Sequence, residues 1–168
     1  MAREKGKRWK VDEPIYDAQA LAEISNVAVN EYRKITFDKN NAEMANKQKF
    51  PKYSKGYEKQ KQSGKIGSKK TGFTSVAGGY ENSTAPFVRG YLHNDTQPAF
   101  SERKQEIYIG WSSHAKKIEW LRKSGRILAS KSHPVHPKVI KALSPFFKKN
   151  AARKFPKGKH TITIGKKK

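Results

Sequence analysis

His133 and His136 are the closest-spaced imidazoles in the chain. Two histidines that share a metal on a helix usually stand at i and i+4, with a third ligand and a carboxylate nearby. Here Pro134 and Pro137 interrupt any helix across the pair, and no Asp or Glu follows it. The spacing argues against a metal site. A second candidate is Gly64–Thr71, GKIGSKKT, which has the composition of a phosphate loop. Gly67 and Gly72 have the right separation for GxxxxGK[ST], but Phe73 stands where the lysine is required, and no buried strand precedes the loop. It reads as an exposed basic loop. Hydrolysis needs an acid that orients a base, or a pair of carboxylates. Asp95 near His93 and Glu119 near Trp120 are isolated acids, and each reads as a local cap or a surface ion pair. These residues point to no catalytic, metal or cofactor site, and the chain reads as a binding or assembly protein, not an enzyme.

The chemistry that the sequence does offer is positive charge. There are 37 Lys and Arg against 14 Asp and Glu, a net charge of +23 at pH 7. The distribution is one-signed. No acid occurs after Glu119, Lys47 to Lys70 holds nine lysines against Glu58, and Met1 to Lys10 holds five basic residues against Glu4. Such surfaces repel themselves and call for a polyanionic neighbour. Nucleic acid is the usual one, because a duplex carries one charge per ~1.7 Å and basic contacts release its counterions. The residues that the pattern nominates for this contact are Lys65, Lys69 and Lys70 in the loop, and Lys148, Lys149, Arg153, Lys154, Lys157 and Lys159 in the tail.

The 168 residues suit one domain with a modest core. There is no cysteine, which excludes disulfides and fits a reducing compartment. No apolar run approaches the ~20 residues of a membrane helix, and none follows the basic N-terminus as in a secretory signal. Residues 1–11 read as a basic arm. A helix is expected from about Pro14 to Phe37, capped by Asp12, with Leu21, Ile24, Ala28, Tyr32 and Ile35 as its apolar stripe. Residues 46–83 read as an extended basic loop, with one short strand or turn within Phe73–Tyr80. An ordered body covers 85–147. It contains a strand at Glu106–Gly110, a helix capped by Ser112 and running to about Lys123 with Gly125 beyond its end, and a short strand at Arg126–Ser130. A helix begins at Pro137 and carries Val139, Ile140 and Leu143; Pro145 should kink it, or restart it with Ser144 as cap. Residues 148–168 form a basic tail, in which His160–Gly165 alternates like a strand.

Three segments in order carry a resemblance. They are Pro86-Phe-Val-Arg89-Gly90-Tyr-Leu92; Ile107-Tyr-Ile-Gly110 with Ser113 to Glu119-Trp120; and Pro134-Val-His136-Pro137 leading to Leu143. Together they resemble the head–tail connector, or tail-completion, proteins of the bacteriophage neck, over about 60 residues. Leu121 stands where that family prefers Phe-Gly. The resemblance implies an α+β fold, with an N-terminal helix, a small mostly antiparallel sheet and packed helices; the long basic loop and the basic C-terminal tail depart from the family and are read from this sequence alone. It implies a structural virion protein, assembled in the host cytoplasm and located at the head–tail junction. Its partners would be itself in a ring of six or twelve copies, the portal or adaptor and tail proteins, and DNA passing nearby. No membrane, small-molecule substrate or catalytic residue is implied. The competing reading is a ribosomal-type or other basic RNA-binding protein, with Tyr53, Tyr57, Phe73 and Tyr80 interleaved among the cations.

Overall fold

The computed structural model describes residues 16–129 and 135–154; for 150–154 only the helical backbone is described. The expectations placed on residues 1–15, on His133 and Pro134, and on Lys157, Lys159 and His160–Gly165 lie outside these residues.

The elements in chain order are α1 (Ala18–Thr36), α2 (Lys55–Gln62), β1 (Lys65–Ser68), β2 (Gly72–Ser75), α3 (Tyr91–Asn94), β3 (Thr96–Ser101), β4 (Glu106–Trp111), α4 (Ala115–Lys123) and α5 (Pro137–Lys154). Helices and two small antiparallel sheets make an α+β fold. Both sheets are two-stranded: β1 pairs with β2, and β3 with β4 from Thr96↔Trp111 to Ser101↔Glu106.

α1 organises the core. Leu21, Ile24, Ala28 and Tyr32 are buried and Ile35 is half-buried, at the three- and four-residue spacing that makes one stripe. Leu21 and Ile24, fully buried, contribute about 1.5–3 kcal/mol each. The helix begins at Ala18, four residues later than its apolar pattern suggests, and its cap is Asp17 instead of Asp12. The Asp17 carboxylate accepts from the Ala20 N–H at 2.7 Å. Tyr16 is held outside the helix because the Gln105 side chain binds both its N–H (2.8 Å) and its carbonyl (3.0 Å).

α1 packs on β3, β4 and α5. Residues alternate across a strand, so Ile107, Ile109 and Trp111 face α1 while Tyr108 faces out. β3 was not legible in the sequence because Pro98 sits inside it. A proline is tolerated on an edge strand, where its missing N–H breaks no ladder, and each strand of a two-stranded ribbon is an edge. The Arg33 guanidinium donates to the Thr96 carbonyl at 2.6 Å, tying the end of α1 to the start of β3.

Several expectations need correction. Residues 46–83 are not simply a loop: they contain α2 and the β1–β2 hairpin, and Phe50 is buried beside Met44 and Ala45 in the core. The strand placed within Phe73–Tyr80 is β2, which ends at Ser75. Ser112 does not cap α4. Its N-cap position is His114, with no side-chain capping bond; the Asp95 carboxylate instead fixes the turn before the helix, accepting from the N–H groups of Ser113 (3.0 Å) and His114 (2.9 Å) and from the Ser112 hydroxyl (2.7 Å). Residues 126–129 form no strand. They are held by single bonds, Ala45 N–H to the Ile127 carbonyl (2.9 Å) and Tyr32 hydroxyl to the Leu128 carbonyl (3.3 Å). α5 does not restart at Ser144. It runs through Pro145, because Val139 and Leu143 before the proline and the half-buried Phe146 and Phe147 after it share one core-facing side. Gly125 follows α4 in the left-handed conformation (φ 76°) that its position demands.

Candidate nucleic-acid interface

Three parts of the fold present cations in groups. Lys65, Lys69 and Lys70 are exposed on the β1–β2 hairpin. Lys148 and Lys149 are exposed on α5, and Arg153 and Lys154 belong to its last turn. The hairpin packs on α2 and α5 packs on α1, so these nominated residues form two patches on separate elements. The third part was not nominated. Two adjoining cavities of about 340 and 320 Å³ share Tyr57, Pro86, Val88 and Lys117 as walls. Together they form a trough between the hairpin, the 86–92 segment and α4. Arg89 and Tyr91 stand on one part of it, and Lys52, Trp120 and Arg126 on the other. No carboxylate lines either cavity.

Two buried cations lie behind the trough. Lys61 is 1% exposed, and its ammonium donates to the carbonyls of Ser83 and Ala85. Arg126 donates to the carbonyls of Thr84 (2.9 Å) and Pro51, and its guanidinium lies 3.7 Å from the Tyr53 ring centroid. The Lys61 ammonium is 4.8 Å from the same centroid. Burial, and then repulsion from Arg126, pushes the Lys61 ammonium down to about 8, against a smaller opposite effect of Glu81. Burial pushes the Tyr53 phenol up to about 12. These contacts pin residues 83–86, and with them Pro86, to α2 and to the turn after α4. No apolar periodicity announces this, because cations, carbonyls and rings make the contacts.

The motif positions divide by role. Pro86, Gly90 and Leu92 are buried. Gly90 has φ 81°, and a Cβ there would lie 3.1 Å from the Phe87 ring, so any other residue would be strained and crowded. Arg89 is exposed, with its guanidinium 3.5 Å from the Tyr91 hydroxyl. Gly110 lies in β4, and Glu119 pairs with Lys123 at 3.2 Å on the surface of α4. His136 is buried and Pro137 is the first residue of α5. His136 Nδ1 accepts from the Lys138 N–H at 3.1 Å, which makes the ring a helix cap. Its Nε2 lies 3.1 Å from Glu43, which also binds the Lys138 ammonium at 2.7 Å. Burial holds the imidazole below its ordinary range, against the pull of Glu43. An imidazole spent on a cap and one carboxylate has a structural task. Among the described residues no group of three or more His, Cys, Asp or Glu side chains converges on a metal position.

No protein-family model, no curated protein and no solved structure matches the chain.

Of the aromatics expected to serve RNA, Tyr80 stacks on Phe87 (4.0 Å) and donates to the Phe37 carbonyl (2.8 Å), and Tyr53 lies under Arg126. Those two are structural. The three most exposed rings among the described residues are Trp120 (62%), Phe73 (60%) and Tyr91 (56%), and two of the three line the trough. The signal that marked them in the sequence was faint: Lys117 and Trp120 are three apart on one turn of α4, and Arg89 and Tyr91 flank a glycine.

Proposed function

We propose that the chain is a structural virion protein, a subunit of an oligomeric ring that joins a phage head to its tail and lets DNA pass. The observation that carries this reading is the β3–β4 ribbon. It is covered by α1 on one face, and among the described residues neither of its long edges is paired. Two strands alone are marginal, and an open edge is a template for another strand. A closed ring of identical subunits satisfies such edges through repeated head-to-tail contacts. Two further points support it. The three family-like segments meet around one core: Leu92, Val139 and Leu143 belong to one buried cluster, and Ile107, Ile109 and Ile118 pack against it. The excess of positive charge also gains a partner where DNA or acidic neighbouring subunits lie alongside.

Negative-stain images of the purified protein, with sedimentation over a range of concentrations, test the reading. Rings of uniform copy number are expected. Dispersed monomers at every concentration would overturn it in favour of a basic RNA-binding protein.

A further inference from the structure

We infer that the trough between the β1–β2 hairpin and α4 binds a short unpaired stretch of nucleic acid, phosphates on Lys52, Arg89 and Lys117 and bases against Tyr91 and Trp120. Three independent features converge there. The first is charge: three exposed cations and the buried Arg126 line a concave surface without a carboxylate. Bound phosphates would neutralise these groups and release counterions. The second is the rings. Trp120 and Tyr91 leave more than half of their surface in water although half-buried Ile118 and buried Leu121 and Leu92 beside them are packed. Base–aromatic stacking uses such faces and tolerates any base sequence. The third is shape. A concave wall formed by the hairpin, by Pro86 and Val88 and by α4 admits a single strand. A duplex keeps its base faces stacked inside and can offer the rings nothing but its backbone. An acidic peptide would answer the charge but leave the rings unused. The inference stands on the trough and not on ring formation, so the imaging test and the binding test fail separately.

The test is binding of the full chain to a 12-nucleotide oligothymidylate, followed by fluorescence anisotropy and by quenching of tryptophan emission, at about 0.2 M salt to suppress diffuse charge contacts. The single strand is expected to bind more tightly than a duplex of equal length, and polyglutamate to bind without quenching. Trp120→Ala and Tyr91→Ala should each weaken the oligonucleotide about tenfold, within the range for one stacked base. Lys117→Glu should weaken it further. Lys148→Glu with Lys149→Glu removes twice as much charge from α5 and should still change it less than twofold. All four variants alter exposed side chains, and each is to be compared at an unchanged urea midpoint. Equal or tighter binding of duplex, or no loss in Trp120→Ala and Tyr91→Ala, would overturn the inference. So would an equal loss in the α5 variant, which would reduce the trough to general positive charge.

Discussion

Lys61 and His136 are two residues whose ionisation is tied to the fold by burial, and they act on opposite sides of neutrality. Burial beside Arg126 lowers the Lys61 ammonium to about 8, while an unfolded lysine titrates near its ordinary 10.5. Between these values the unfolded chain holds more protons, so stability rises with pH. Above about pH 10 the trend reverses, because burial keeps Tyr53 and Tyr32 protonated in the fold while unfolded tyrosines ionise. The urea midpoint should therefore climb from pH 8 to 10, by about 1–2 kcal/mol in stability, and then fall. In Lys61→Met the climb should vanish; a climb that persists would mean that the buried cation is not its source. His136 works at the acid end. Its imidazole is lowered by burial, so below about pH 6.5 the unfolded state takes up a proton that the fold resists, and stability drops. Glu43, held low chiefly by its bond to Lys138, adds a second loss below about pH 4.5. His136→Ala should cost about 2–4 kcal/mol, from a lost cap and a vacated buried site. His136→Asn keeps a capping acceptor and should recover about 1 kcal/mol of this in chemical denaturation.

At the scale of elements, α5 carries a testable cost. Pro145 lies inside a continuous helix, where it removes one backbone donor and crowds the preceding turn, a penalty of about 3 kcal/mol in a helix interior. Its own side chain is exposed. Pro145→Ala should raise stability by about 1–2 kcal/mol, after allowing for the extra freedom that alanine gives the unfolded chain. A lower thermal midpoint in the variant would show that the proline supports a bend that the core requires. The β1–β2 hairpin makes the opposite demand. Gly67 has φ 131°, and a Cβ there would lie 2.1 Å from the Gly72 carbonyl oxygen. Gly67→Ala should open the hairpin, raising amide exchange at residues 65–75. Packing around α1 should remain, because the hairpin contributes no residue to the buried cluster.

At the scale of the molecule, a net charge of +23 opposes compaction. Raising salt from 0.05 to 0.5 M should lift the thermal midpoint by screening this repulsion. The same salt should weaken binding to random duplex DNA steeply; a flat response would remove the polyanion argument. Removing residues 155–168 takes away five lysines, for a charge of 23 − 5 = +18. The truncated chain should keep the unfolding midpoint, since the buried cluster lies between Ile24 and Leu143, and should show a shallower salt slope for DNA. What the sequence determined by itself is whatever depends on neighbours along the chain. The α1 stripe, the alternation of Ile107 and Ile109, the end of α4 at Gly125 and the start of α5 at Pro137 follow from local periodicity and backbone preference. The unbalanced charge likewise needs no fold to be counted. Tertiary structure alone decided the rest, because its partners are distant in sequence. Asp95 fixes the turn before a helix that begins 20 residues later, Glu43 meets His136 and Lys138 from far along the chain, and β3 exists only because β4 pairs with it around Pro98. Lys61 and Arg126 order the 46–86 region through carbonyls and a ring, which have no hydropathy pattern. The trough is of the same kind: Lys52, Arg89, Lys117, Tyr91 and Trp120 become one surface only when the hairpin and α4 close on the 86–92 segment.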